Sequence, residues 1–402
     1  MASGYRLMLG AQPADATLMR LLALTEVEES MDMPSAIQLT VPLSRSSSGD
    51  LTYASDPKFS PLAPVSVVAS TKGSGAQGVT TGATGAAAPA TGGSAPAADE
   101  CIFDGYILSQ KLHLETGITN SAITVWGQDV SWLMNLKETV REWVNVTEAQ
   151  VAAQIFGHYG VTPSDQNKDE DSPTYTEGNH SLMQHGSDIA FLRMLARRSG
   201  KLVRIACADR PGVRTGYFAA PNLKGEAVVN LVINDDTNWT VNALDIDWDA
   251  TRPTAVTARS ALFSDKDPNV ANGDTSDSGL AALSIQSLSA FTGKNMTVML
   301  ATAVDSAGAL TQRAQGVLRE AGWFARCEGE ADLERLGVVL RAGMLVNLVG
   351  VGALHSGKWI VWTVRHRLTA EKHTMRFTLL RNAVGASPSS ATSGLSSLAG
   401  VP

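Results

Sequence analysis

The chain has 402 residues, 44% of them hydrophobic and 18% charged, with 32 Lys and Arg against 39 Asp and Glu for a formal charge of −7. That length and apolar share suit two or three domains with cores of their own, and the acidic balance excludes the basic stripe of a nucleic-acid-binding protein. Three cysteines, Cys101, Cys207 and Cys327, are odd in number and far apart, which excludes a disulfide framework or a Cys-x-x-Cys metal clip and points to a reducing compartment.

The first ten residues lack the apolar stretch of a signal peptide. No run approaches the roughly 18 apolar residues of a membrane span. Synthesis in the cytosol is expected, and the triplets Asn238-Trp-Thr and Asn295-Met-Thr are read as chance matches to a glycosylation signal.

Taken in chain order, Tyr5 to Leu9 is a short strand and Asp15 to Leu24 a helix or helical turn. Ile37, Leu39 and Val41 alternate with Gln38 and Thr40, the period of a half-buried strand that Pro42 ends. Pro64 to Ala69 is another strand. Residues 71–98 then carry almost only Gly, Ala, Ser, Thr and Pro, too little apolar surface to offset the entropy of ordering, and read as a flexible insert. Strands resume at Ile102 to Leu108, Lys111 to Glu115 and Ser121 to Trp126. Thr147-Glu-Ala-Gln150 is a capping box that opens a helix carrying Val151, Ile155 and Phe156 and stopped by Gly157 and Gly160. Residues 162–180 read as a polar loop with an acidic run at Asp169 to Asp171. Ser187-Asp188 caps a second helix with Ile189, Leu192, Leu195 and Ala196 on one face and Gly200 at its end. Strands follow at Lys201 to Ala206, Ala227 to Ile233, Trp239 to Trp248 and Pro253 to Leu262. Residues 264–294 read as polar loop, and Leu310, Ala314, Val317, Leu318 and Ala321 mark a third helix ended by Gly322. The stretch Gly343 to Asn382 closes the chain as a three-stranded β-meander.

The two β-rich ends resemble each other. Pro64 to Ala69, Phe103-Asp-Gly105-Tyr-Ile, a hairpin and Ala122 to Trp126 run parallel in pattern to Met344 to Val349, His355-Ser-Gly357-Lys-Trp-Ile, a hairpin and Met375 to Leu380. Two such modules in one chain favour a ring or tube with internal pseudo-symmetry.

Groups that could carry chemistry are scattered. Of the histidines His113, His158, His180, His185, His355, His366 and His373, only His180 and His185 lie close in sequence, with no third ligand at metal spacing. His366 alternates with Ile360, Trp362 and Val364 and reads as a packed or interfacial residue. Asp245, Asp247 and Asp249 share one strand face, which suits a solvated face better than a cation site. Asp265, Asp267, Asp274 and Asp277 are dispersed through a polar stretch. Gly350-Val-Gly352 lacks the third glycine and the following helix of a dinucleotide fingerprint, and no Gly-x-Ser-x-Gly, P-loop or His-Glu-x-x-His occurs. No catalytic, cofactor-binding or metal-binding residue is assigned.

Several segments, taken in order, resemble the phage late control D family, the baseplate hub of contractile tails, and the hub half of the type VI spike protein VgrG and of contractile injection systems. They are Ser187-Asp-Ile-Ala-Phe-Leu-Arg-Met-Leu-Ala-Arg-Arg-Ser-Gly200, Phe103-Asp-Gly105, Trp126-Gly-Gln-Asp129, Ala342-Gly343, Gly350-Val-Gly352, Ser356-Gly357-Lys-Trp-Ile-Val, Val364-Arg-His366 and Phe377-Thr-Leu, within a likeness running from about residue 20 to 383. The resemblance implies an α+β, mainly β fold: a first tube-like β-barrel domain (1–135, here carrying the insert 71–98, which is not part of the family pattern), an α+β helper domain (136–225), a second tube-like barrel (226–385) and a flexible tail (386–402). It implies a non-enzymatic, cofactor-free homotrimer that adapts a six-fold inner tube to a three-fold spike. Its partners would be an inner tube protein, a separate spike protein, baseplate wedge components and a tape measure protein. It would assemble in the bacterial cytoplasm and end in the baseplate of the particle. Nothing after Asn382 matches the oligosaccharide-binding-type domain or β-helix that VgrG carries downstream, hence the separate spike. The alternatives are a tail-associated peptidoglycan hydrolase, which would need a carboxylate pair or Cys-His site, and a spike-type effector carrier. The insert is expected to project towards the lumen or a baseplate neighbour, so deleting 73–97 should impair assembly or injection.

Overall fold

A computed structural model describes residues 4–70, 99–118, 120–168, 174–177, 182–260, 273–302, 304 and 307–385. The insert 71–98, the acidic run Asp169 to Asp171, His180, Asp265, Asp267 and the tail 386–402 lie outside the described residues. The fold is mainly β with helices, as expected.

One 13-stranded sheet organises the molecule. Twelve of its strands matter here. Six come early: β1 (Tyr5–Leu9), β2 (Leu24–Ser30), β3 (Ala36–Pro42), β4 (Pro64–Ser70), β5 (Asp99–His113) and β6 (Ala122–Asp129). Six come late: β7 (Asn230–Val232), β8 (Val241–Trp248), β9 (Ala325–Asp332), β10 (Leu345–Val349), β11 (Gly357–Leu368) and β12 (His373–Arg381). The two sets are wired alike. In the first, the neighbours run β2-β3-β6-β5-β4-β1, and in the second β8-β9-β12-β11-β10-β7. The one difference is that β1 is antiparallel to β4 whereas β7 is parallel to β10.

Alternation builds these strands. Ile37, Leu39 and Val41 are buried while Gln38 and Thr40 are half-exposed, and Met375, Phe377 and Leu379 are buried while Arg376 faces water. On the polar face, the Trp126 indole N–H donates to Gln38 Oε1 at 2.9 Å across the β3–β6 pair. The apolar faces of both modules merge into one core that includes Leu7, Val27, Leu39, Phe103, Trp359, Val364 and Phe377. Fully burying side chains of this size is worth about 1.5–3 kcal/mol each. Gly105 is forced by close approach: a Cβ there would lie 2.1 Å from the Gln128 carbonyl oxygen of β6.

Between the modules, α1 (Glu148–His158) and α2 (Asp188–Arg198) pack on a second core with Trp143, Phe156, Phe191, Leu192 and Phe218. The capping box is present in both directions, Gln150 N–H to Thr147 Oγ1 at 3.3 Å and Thr147 N–H to Gln150 Oε1 at 3.0 Å. Gly200 ends α2 in the left-handed region, at φ +63°. The third helix, α3 (Ala307–Ala321), covers a parallel pair, Ala255–Ser260 with Thr297–Thr302.

Several readings are corrected. The strands expected at Ile102 to Leu108 and Lys111 to Glu115 are one strand, β5. The helix expected over Asp15 to Leu24 is only Ala16–Leu21, capped by the Asp15 carboxylate at 2.8 Å, and its last residue enters β2. The stretch 264–294 contains a short helix, Leu288–Thr292. Strands at Leu24–Ser30, Glu138–Trp143, Leu182–Ser187, Arg214–Ala219 and Thr297–Thr302 have no counterpart in the sequence reading.

Candidate assembly interface

The repeat is structural, and a pair of bulges fixes its alignment. Between β5 and β6 the register slips between Ile107 and Ser109, and between β11 and β12 it slips between Val361 and Thr363. The extra residues are Leu108 and Trp362. Gly105 precedes its bulge by three positions and Gly357 by five, so the two glycines that suggested the repeat are not equivalent.

After its bulge, β11 changes partner on one edge. Gly357 to Ile360 pair with β10, whereas Thr363 to Leu368 pair with β2 of the first module. This antiparallel β2–β11 junction makes two modules into one sheet. Directly opposed charges line it: Arg365 lies 2.5 Å from Glu28 and Arg367 lies 3.0 Å from Glu26. Such exposed pairs contribute about 0.2–1 kcal/mol each, so the backbone ladder and the buried Val27, Val364 and Leu368 beneath it do most of the holding. Of these four charged residues only Arg365 lies in a segment that stood out in the sequence. The signal was there, since Glu26 and Glu28 have the same two-residue spacing as Arg365 and Arg367.

Each module has one edge with no such partner. The outer edge of β8 and the β4-side edge of β5 beyond Leu108 carry no strand pairing among the described residues. The distal end of β5, Ser109 to His113, is exposed throughout. Leu112, Leu114 and Trp248 are 41%, 56% and 49% exposed, high values for large apolar side chains beside a core.

The chemistry-bearing candidates do not converge. Among the described residues no group of three or more His, Cys, Asp or Glu side chains could hold a metal. His113 Nε2 lies 3.2 Å from Glu115, and His185 is exposed on the strand Leu182–Ser187. Asp274 pairs with Arg259 at 2.5 Å and Asp277 accepts from the Gly279 N–H at 2.8 Å. The Asp249 carboxylate accepts from Thr251, and Asp245 and Asp247 stay on the outer strand β8. Cys101 and Cys327 are buried thiols, Cys327 pushed up to about 12 by burial and by Asp245, Asp247 and Glu328.

Fully buried His366 and half-buried His373 form a pair, Nδ1 to Nε2 at 3.0 Å across the β11–β12 turn. Burial, with His373 adding to it, holds His366 well below its ordinary range, and burial brings His373 from 6.5 to about 4. The fold therefore holds both rings neutral. Their contribution to stability is complete above about pH 6.5 and is lost as the pH falls towards 4. Thermal melts across that window should show a steeper fall in Tm for the native chain than for His373→Leu; equal slopes would remove the pair from the acid response.

No curated protein matches the chain by sequence. Its fold is similar to that of the 43 kDa tail protein of prophage MuSo2 from Shewanella oneidensis, at 15% identity and TM-score 0.59, covering 94% of this chain and 98% of that one. It is also similar to the tail protein from Neisseria meningitidis MC58, at 12% identity and TM-score 0.61 over 96% and 98%. A chain of the half-lidded PdpA–VgrG complex of Francisella shares the fold at 8% identity and TM-score 0.51, over 96% of this chain and 59% of that one. These likenesses place the doubled sheet among tail-protein folds. A family model described as the Alg8 N-terminal domain matches residues 95–370, more than half of the chain, and the chain belongs to that family.

Proposed function

We propose that this chain is a structural hub of a contractile tail-like particle. Three copies close into a ring of six β modules that joins a six-fold inner tube to a three-fold spike. The observation that carries this reading is the β2–β11 junction, where one chain already joins two equivalently wired modules edge to edge. A joint that works once between like modules can work again between copies, and a head-to-tail joint that closes makes a ring. The tail-protein fold supports the same reading.

In this reading residues 1–135 and 226–385 supply the tube-forming units and 136–225 the helper unit between them. Load passes through hydrogen-bonded sheet and buried packing, and no bond-making group is needed. The partners are an inner tube protein, a separate spike protein, wedge components and a tape measure protein, met in the bacterial cytoplasm during assembly and kept in the finished baseplate. Native mass measurement of the purified chain, alone and mixed with the tube and spike proteins of the same particle, should give a trimer that takes up both. A strict monomer that binds neither would overturn the proposal.

A further inference from the structure

The bulges align the modules residue by residue. Matching Leu108 to Trp362 places Lys111 and His113 of β5 where Arg365 and Arg367 stand on β11. The ladders carry the match across the sheet. Ser109 and Thr363, the residues after each bulge, face Trp126 and Thr378. Those face Gln38 and Glu328, which in turn face Glu26 and Asp245. By the same steps Asp247 matches Glu28. The two acids of the internal junction thus have acidic counterparts on the unpaired edge of β8, and its two bases have basic counterparts on the unpaired end of β5.

We propose that β8 of one copy pairs antiparallel with Ser109 to His113 of the next, in a fixed register with Asp247 opposite Lys111 and Asp245 opposite His113. The inference rests on the ring reading above and assigns its joint. Transferring the internal register also sets Ile246 opposite Leu112 and Leu244 opposite Leu114. In the internal junction the residues matching Leu112 and Leu114 are His366 and Leu368, both fully buried. Here Leu112 and Leu114 are exposed, and Leu244 and Ile246 are only partly covered. The neighbouring copy is the cover they lack, and the free N–H and C=O groups of both edges supply the ladder.

The charges fit the same occupant. Among the described residues, Lys111, Asp245 and Asp247 make no ion pair and no side-chain hydrogen bond, whereas their counterparts Arg365, Glu26 and Glu28 are all paired. On β9 Asp245 lies opposite Glu328 and Asp247 opposite Arg326, and Arg326 is paired with Glu328. His113 has Glu115 as its only charged neighbour at pairing distance among the described residues. Two unpaired acids on an open edge suit a basic edge, and β5 offers one.

Reversing one charge tests the register. In the full chain, Asp247→Lys sets lysine against Lys111 at every joint between copies, and the concentration for half-assembly should rise by roughly tenfold or more. The double variant Lys111→Asp with Asp247→Lys restores opposite charges and should bring assembly back to the native range. All these side chains are exposed in the single chain, so the circular dichroism of the dissociated chains should stay unchanged. A trimer that tolerates the single reversal, or that the double variant does not rescue, would overturn this joint while leaving the ring standing. A native chain that never trimerises would overturn both.

Discussion

Val361→Pro should destabilise the fold itself, and not only weaken association with other copies. Val361 is fully buried; its N–H donates to the Met344 carbonyl at 2.8 Å and its own carbonyl accepts from the Gly343 N–H at 2.8 Å. It is the last residue before the bulge at which β11 passes from β10 to β2, so a defect here reaches both modules. Proline removes the donor and leaves the Met344 carbonyl without it, at about 1–3 kcal/mol. Its ring also misfits a close-packed site, adding about 1–3 kcal/mol. Against a total stability of about 5–15 kcal/mol that is a large share. The control is Val361→Ala, which keeps the N–H and should cost about 2 kcal/mol through lost packing alone. Urea melts of the two variants measure the difference. Equal midpoints would mean that the ladder at this position contributes little.

What was legible in the sequence follows from which forces act locally. The capping box at Thr147 and Gln150, the Ser187 cap, the Gly200 stop and the alternation through Ile37 to Val41 and Met375 to Leu379 are written in residues within a few positions of each other, and each is found where expected. β2 was not legible because its pattern, Leu-Thr-Glu-Val-Glu-Glu-Ser, mixes two demands. Thr25 and Val27 face the core, Glu26 and Glu28 face the arginines of a strand more than 300 residues away, and Glu29 is buried against Arg341. No local period announces a strand whose polar half is chosen by a distant partner. β5 was split in two for a related reason: its distal end is polar and exposed in the single chain, so it reads as a turn and a short strand. The repeat was visible as an outline, but its alignment needed the bulges, which are properties of paired strands.

Arg341→Met should destabilise the fold by about 3–5 kcal/mol, because it strands buried carboxylates. The Arg341 guanidinium donates to Glu29 Oε1 at 2.7 Å, lies 3.6 Å from Glu100 and donates to the Cys207 carbonyl at 3.4 Å. Glu29 is on β2, Glu100 on β5, and Cys207 on the strand Leu202–Cys207 that packs with the helices. One side chain from the second module therefore holds together all three parts of the chain. Glu29 is 5% exposed and also accepts the Ala342 N–H at 3.2 Å, which fixes its carboxylate in place. Burial already raises the proton affinity of Glu100, with Arg341 opposing it. In the variant Glu100 would lose the cation that opposes its burial, and its pKa should rise further. A carboxylate whose folded pKa is raised gives stability at low pH that disappears as the pH climbs through that value. Arg341→Met should thus be most stable at mildly acidic pH and lose Tm towards neutrality. Adding Glu29→Gln removes one stranded charge and should recover about half or more of the loss. A flat pH profile for Arg341→Met, or no recovery in the double variant, would show that the cluster is held by packing and not by its charges.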